Sequence, residues 1–101
     1  MSVKQLVDDA IAQNKLVIFS KSYCPYCKRA KGLFASDFPD VNPTVFELDQ
    51  RDDGSAIQDY LAELTGQRSV PNVFINKKQI GGSDAVVSLH SQGKIAELLN
   101  Q

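Results

Sequence analysis

Apolar positions follow one rhythm in some stretches of this chain and a second rhythm in others. Between Ser2 and Asn14, the residues Val3, Leu6, Val7, Ala10 and Ile11 recur at three- and four-residue intervals. That spacing predicts a helix with one buried face, and Ser2 stands where an N-cap belongs. Leu16-Val17-Ile18-Phe19 is a continuous apolar run rich in β-branched residues, which suits a strand buried on both faces. The polar loop Ser20-Lys21-Ser22-Tyr23 leads to a second helix that opens at Cys24-Pro25-Tyr26-Cys27 and runs to about Ala35. Pro25 is compatible with that start, because the first helical turn makes no use of its missing N–H. Thr44–Leu48 reads as a strand, and Asp49–Gly54 as a loop. Ser55–Thr65 reads as a helix with Ile57, Tyr60, Leu61 and Leu64 on one face, stopped by Gly66.

Val73–Ile75 and Gln79–Ile80 are short strands joined by a tight turn at Asn76-Lys77-Lys78, and Gly81-Gly82 ends the second. Ser83–Ser91 and Lys94–Asn100 read as helices broken at Gly93. Strand, crossover helix and strand form a right-handed βαβ unit with parallel strands. The hairpin that follows is antiparallel. The expectation is an α/β fold in a single domain spanning residues 1–101.

Composition narrows the function. A chain of 101 residues supports one core, and 43% hydrophobic with 23% charged residues is the profile of a soluble globular domain. Eleven basic residues against twelve acidic ones give no reason to expect nucleic-acid binding. No apolar run approaches the ~20 residues that cross a bilayer, and the N-terminal stretch has no signal-peptide core. The expected location is the cytoplasm, with no membrane partner. Asp49–Gly54 has a superficial likeness to a calcium loop, but Arg51 and Tyr60 fall where ligands are required.

There are two cysteines, Cys24 and Cys27. Three positions apart, they cannot staple a fold, whereas a redox pair is well served by this spacing. A closed zinc site needs two further ligands, and His90 is the sole other candidate. A helix N-terminus presents unpaired N–H groups and about half a positive charge, which favours thiolate over thiol. Lys21, Lys28, Arg29 and Lys31 add positive charge nearby. Such sites bring a cysteine pKa from ~8.5 down to roughly 3.5–7.5. Cys24 is therefore the expected nucleophile, and Cys27, one turn further in, the more protonated resolving thiol.

Three segments together carry a family signature. Ser20-Lys21-Ser22-Tyr23-Cys24-Pro25-Tyr26-Cys27, Thr65-Gly66-Gln67-Arg68-Ser69-Val70-Pro71-Asn72 and Gly81-Gly82-Ser83-Asp84 resemble, in order and spacing, the motifs of dithiol glutaredoxins. The likeness covers essentially the whole chain. It implies a thioredoxin-like fold, with a central four-stranded mixed β-sheet flanked by helices. It also implies a glutathione-dependent disulfide oxidoreductase that acts on glutathionylated proteins and other disulfides, as a monomer, with glutathione as reducing co-substrate and no metal.

The resemblance assigns roles residue by residue. Pro71 would be cis, against a base rate of ~5–6% for X-Pro bonds, and would turn the Val70 backbone toward the bound peptide. The N–H groups of Ser83 and Asp84 would take the γ-glutamyl carboxylate, and the Asp84 carboxylate its ammonium. Lys21 and Gln58 would hold the glycine carboxylate, with Arg68 adding charge. Tyr26 would line the groove beside the mixed disulfide. Two rivals remain: a dimer bridging an iron–sulfur cluster through Cys24 and glutathione, which Pro25 disfavours, and a thioredoxin-like enzyme reduced directly by a reductase.

Overall fold

In the computed structural model, which describes Met1–Gln101, the first helix is α1 (Val3–Gln13). The Ser2 hydroxyl accepts the Gln5 N–H at 3.0 Å, a cap of the kind worth about 1 kcal/mol. Four strands follow in the order β1 (Leu16–Ser20), β2 (Thr44–Glu47), β3 (Asn72–Ile75) and β4 (Lys78–Gly81). Helix α2 (Pro25–Asp37) connects β1 to β2, α3 (Gly54–Thr65) connects β2 to β3, and α4 (Ser83–Ser91) and α5 (Lys94–Leu99) end the chain.

The sheet order is β2-β1-β3-β4. β1 and β2 are parallel, whereas β1/β3 and β3/β4 are antiparallel. This is the mixed four-stranded sheet of the thioredoxin-like fold.

Every residue of β1 is buried because helices cover both faces of the sheet. Its side chains alternate with the strand period of two. Leu16 and Ile18 pack with Phe34, Val73, Ile75 and Val86 on the side of α2, α4 and α5. Val17 and Phe19 pack with Val7, Leu48, Ile57, Leu61 and Phe74 on the side of α1 and α3. Each fully buried side chain of this size contributes roughly 1.5–3 kcal/mol.

Several boundaries differ from the sequence reading, each for a local reason. β2 stops at Glu47, and Leu48–Gln50 form one 3-10 turn instead of extending the strand. Leu48 drives its side chain into the core there, and α3 begins hard against its carbonyl. A Cβ on residue 54 would lie 1.9 Å from the Leu48 oxygen, so that position requires glycine. Asn76 and Lys77 both adopt positive φ, 47° and 73°, as a two-residue hairpin turn demands. The turn is therefore complete in two residues, and β4 starts at Lys78. Gly66 closes α3 at φ 81°, with its N–H bonded to the Ala62 carbonyl.

This topology gathers three loops at one end of the sheet. Phe19, near the end of β1, pairs with Asn72 at the start of β3. Val73 in turn pairs with Gly81 at the end of β4. The β1–α2 loop with Cys24, the Val70–Pro71 segment before β3 and the start of α4 after β4 thus share one rim.

Candidate active site

Cys24 occupies the N-cap of α2, in extended conformation (φ −82°, ψ 121°), with Pro25 as the first helical residue. Its carbonyl accepts the Lys28 N–H at 3.0 Å, and its own N–H reaches the Lys21 carbonyl at 3.1 Å. Both cysteines are free thiols; Cys24 is half-buried and Cys27 has no exposed surface.

Their acidities diverge. Desolvation pushes the Cys24 thiol up, but the Cys27 backbone N–H, the Cys27 thiol, the Tyr26 N–H and the Lys21 charge together outweigh it. The net displacement is below an ordinary thiol. For Cys27, burial dominates and raises the value, despite the Lys21 N–H that donates to its sulfur at 3.4 Å.

Of the four nearby cations, Lys21 is the one whose charge bears on Cys24. Lys31 is engaged by Glu47 at 2.7 Å, and Arg29 by Ser83 and Asp84. The other Glu47 oxygen is buried without a partner.

The loop that delivers Cys24 is latched to the 3-10 turn after β2. The Ser22 N–H donates to Asp49 at 2.9 Å, its hydroxyl donates to the same carboxylate, and the Gln50 side-chain amide donates to the Ser22 hydroxyl at 3.4 Å and, within the turn, to Asp49 at 3.0 Å. The Ser22 hydroxyl, followed by its N–H, lowers the Asp49 pKa to about 2. The sequence reading passed over this acid as part of a loop. Its one visible signal was its place directly after an apolar strand.

A groove of about 330 Å3 opens on the same rim, lined by Tyr26, Ser69, Val70, Pro71, Ser83 and Asp84 among others. The Val70–Pro71 peptide is cis, and no backbone hydrogen bond within the chain engages Val70. Arg29, which the sequence reading used only as nearby charge, donates its Nε to the Ser83 hydroxyl at 2.6 Å and Nη2 to Asp84 at 2.5 Å. Its guanidinium lies 5.5 Å from the centre of the Tyr26 ring.

Lys21 is half-buried beside the thiols. Gln58 is buried, and its side-chain amide donates to the Arg68 carbonyl at 3.0 Å. The Arg68 side chain pairs with Asp59 at 2.9 Å and Ser55 at 3.2 Å. Gln58 thus steadies the Arg68 corner through a backbone contact that sequence alone could not reveal. A larger hollow of about 550 Å3 lies away from the thiols, between α1 and α3, with Ile11, Leu64 and Phe74 in its wall.

The family model for glutaredoxin matches residues 16–80, from β1 through β4. The chain belongs to the glutaredoxin family. It is 53% identical to Glutaredoxin-C4 of Arabidopsis thaliana over 92% of this chain and 67% of that protein. With Glutaredoxin-C8 of Oryza sativa subsp. japonica, identity is 48% over 98% of this chain and 73% of the relative. A crystal structure of a buckwheat glutaredoxin–glutathione complex superposes with a TM-score of 0.90 at 47% identity, covering 97% of this chain and 87% of that one. Glutaredoxins are glutathione-dependent thiol–disulfide oxidoreductases, and the thiol pair at the head of α2 gives this chain the means for that chemistry.

Proposed function

We propose that glutathione binds in the rim groove with its sulfur against Cys24. The observation that carries this reading is adjacency: an acidified cap thiol stands beside a groove walled by Tyr26, Val70, Pro71, Ser83 and Asp84. The γ-glutamyl carboxylate meets the N–H groups at the start of α4, and its ammonium faces Asp84. The cysteinyl backbone pairs with Val70 as an added strand would. Lys21 supplies charge for the glycine carboxylate, in the corner formed by Gln58 and Arg68. The buckwheat complex supports the choice of ligand.

The reaction then runs in two exchanges. The Cys24 thiolate attacks the glutathione sulfur of a protein–glutathione mixed disulfide, and the protein thiolate leaves and takes a proton. A second glutathione, as thiolate, attacks the glutathione sulfur now on Cys24. Oxidised glutathione departs and the Cys24 thiolate is restored. With a protein disulfide as substrate, Cys24 first forms a mixed disulfide with the protein. Cys27 then gives up its proton and attacks Cys24 Sγ, which releases the reduced protein.

Glutathionylated proteins are the substrate class, the working unit is a monomer, and the working compartment is the cytoplasm. Two cysteines three positions apart, with none left over for a structural staple, suit that reducing setting. A coupled assay on a small glutathione mixed disulfide tests the reading: turnover should require glutathione. Equal turnover with a thioredoxin-type reductase and no glutathione would overturn it.

A further inference from the structure

The two-exchange scheme leaves one well-held side chain unused. Arg29 projects from the second turn of α2 and is gripped by three groove residues: the Ser83 hydroxyl through Nε, the Asp84 carboxylate through Nη2, and the Tyr26 ring. An exposed ion pair alone would carry little consequence, and Asp84 is 94% exposed. The Ser83 contact changes this. Ser83 is buried, and the 2.6 Å bond fixes the guanidinium at the head of α4 whether or not Asp84 is occupied.

A guanidinium carries five N–H donors in a rigid fork. Two are used here, which leaves three. An arriving ammonium meets an Asp84 whose charge is already balanced by Arg29. An arriving carboxylate meets the spare guanidinium donors and the unpaired N–H groups at the start of α4.

Building on the groove reading above, we propose that Arg29 is a specificity-determining residue that makes the groove select the α-carboxylate of the γ-glutamyl group over its ammonium. The carboxylate takes the free side of the Arg29 fork, alongside the α4 N–H groups. The ammonium competes with Arg29 for Asp84 and gains correspondingly less. The backbone groups hold any carboxylate of the right reach, and the guanidinium supplies the charge-assisted increment.

The test compares three tripeptide thiols, each presented to the reduced protein as its mixed disulfide with 2-mercaptoethanol, so that the tripeptide enters the groove as its sulfur is transferred to Cys24: glutathione, its des-amino analogue (glutaryl-Cys-Gly) and its decarboxy analogue (4-aminobutyryl-Cys-Gly). The parent protein should lose more kcat/KM with the decarboxy analogue than with the des-amino one. Arg29→Ala should lower kcat/KM about tenfold for the des-amino analogue, lower it less for glutathione, raise it for the decarboxy analogue by freeing Asp84, and so abolish the preference. Arg29→Lys, which keeps the charge without the fork, should fall between. Circular dichroism of both variants confirms the fold. An equal loss for all three thiols, no loss, or tighter use of glutathione by Arg29→Ala would each overturn the assignment. If the parent protein treats the three tripeptide disulfides and the disulfide of 2-mercaptoethanol alike, the groove reading itself fails, and Arg29's role falls with it.

Discussion

Two hollows flank the same small sheet. The larger, about 550 Å3, lies between α1 and α3, and its single acid, Asp8, is already engaged by Lys4 at 2.6 Å and Tyr60 at 2.5 Å. The smaller, about 330 Å3, has backbone N–H groups and a cis proline on its walls, an arginine fork gripping three of its lining residues, and an acidified sulfur at its side. Size therefore points away from the chemistry. What separates the two is the meeting of a strand end and a helix start at the thiol rim, where unpaired backbone donors face outward.

The sharpest way to break the contrast is at the sulfur. Cys24→Ser should lower glutathione-dependent turnover by at least about a thousandfold, because serine is not ionised at neutral pH and only the thiolate attacks. Residual activity near the parent level would remove the basis for ranking the smaller groove first. Cys27→Ser should retain reduction of small glutathione mixed disulfides and lose the route that needs a resolving thiol, read as turnover on a protein disulfide.

The two thiols should also separate in titration. Alkylation of Cys24 should rise with pH through a midpoint below the ~8.5 of a free cysteine, while Cys27 stays unreactive until higher pH. The sign follows from the shifts: Cys24 is lowered by its N–H and thiol donors against desolvation, and Cys27 is raised by burial. Coincident midpoints would dissolve the distinction between nucleophile and resolving thiol.

The latch beneath the rim gives a smaller effect. The Asp49 pKa is about 2 in the folded chain, below the ~3.9 of an unfolded aspartate. Its stabilising share is therefore complete above about pH 4 and is lost as the pH falls through about 2. Asp49→Asn should flatten the fall of melting temperature between those limits. The smallest change is expected in the larger hollow. Leu64→Ser, at a position 48% exposed, should shift stability by less than about 1 kcal/mol and leave kcat/KM unchanged. A loss of turnover there would make the larger hollow part of the machinery.

Much of this was legible in residue order. The apolar run of β1, the cap at Ser2, the stop at Gly66 and the thiol pair ahead of α2 each follow from local rules, and tertiary contacts do not oppose them. Legibility fails where distant segments meet. Leu48 reads as strand, yet it turns because Gly54 packs on its carbonyl. Gln58 reads as a surface amide, yet it is buried against the Arg68 backbone. Arg29 and Lys31 read as charge for Cys24, yet partners 55 and 16 residues away hold them. The cis bond at Pro71 was expected only from the family likeness, since base rates favour trans.

The cap position of Cys24 also sets an electrochemical bias. The N–H groups of Tyr26 and Cys27 that steady its anion act only while the sulfur is ionised. Joining Cys24 to Cys27 removes that charge and with it the benefit. Each ~1.4 kcal/mol of such preference for the dithiol state moves the couple's potential about 30 mV toward the oxidising side. The helix that readies the sulfur for attack thereby also inclines the protein to accept electrons from a thiol donor and to part with its own disulfide readily.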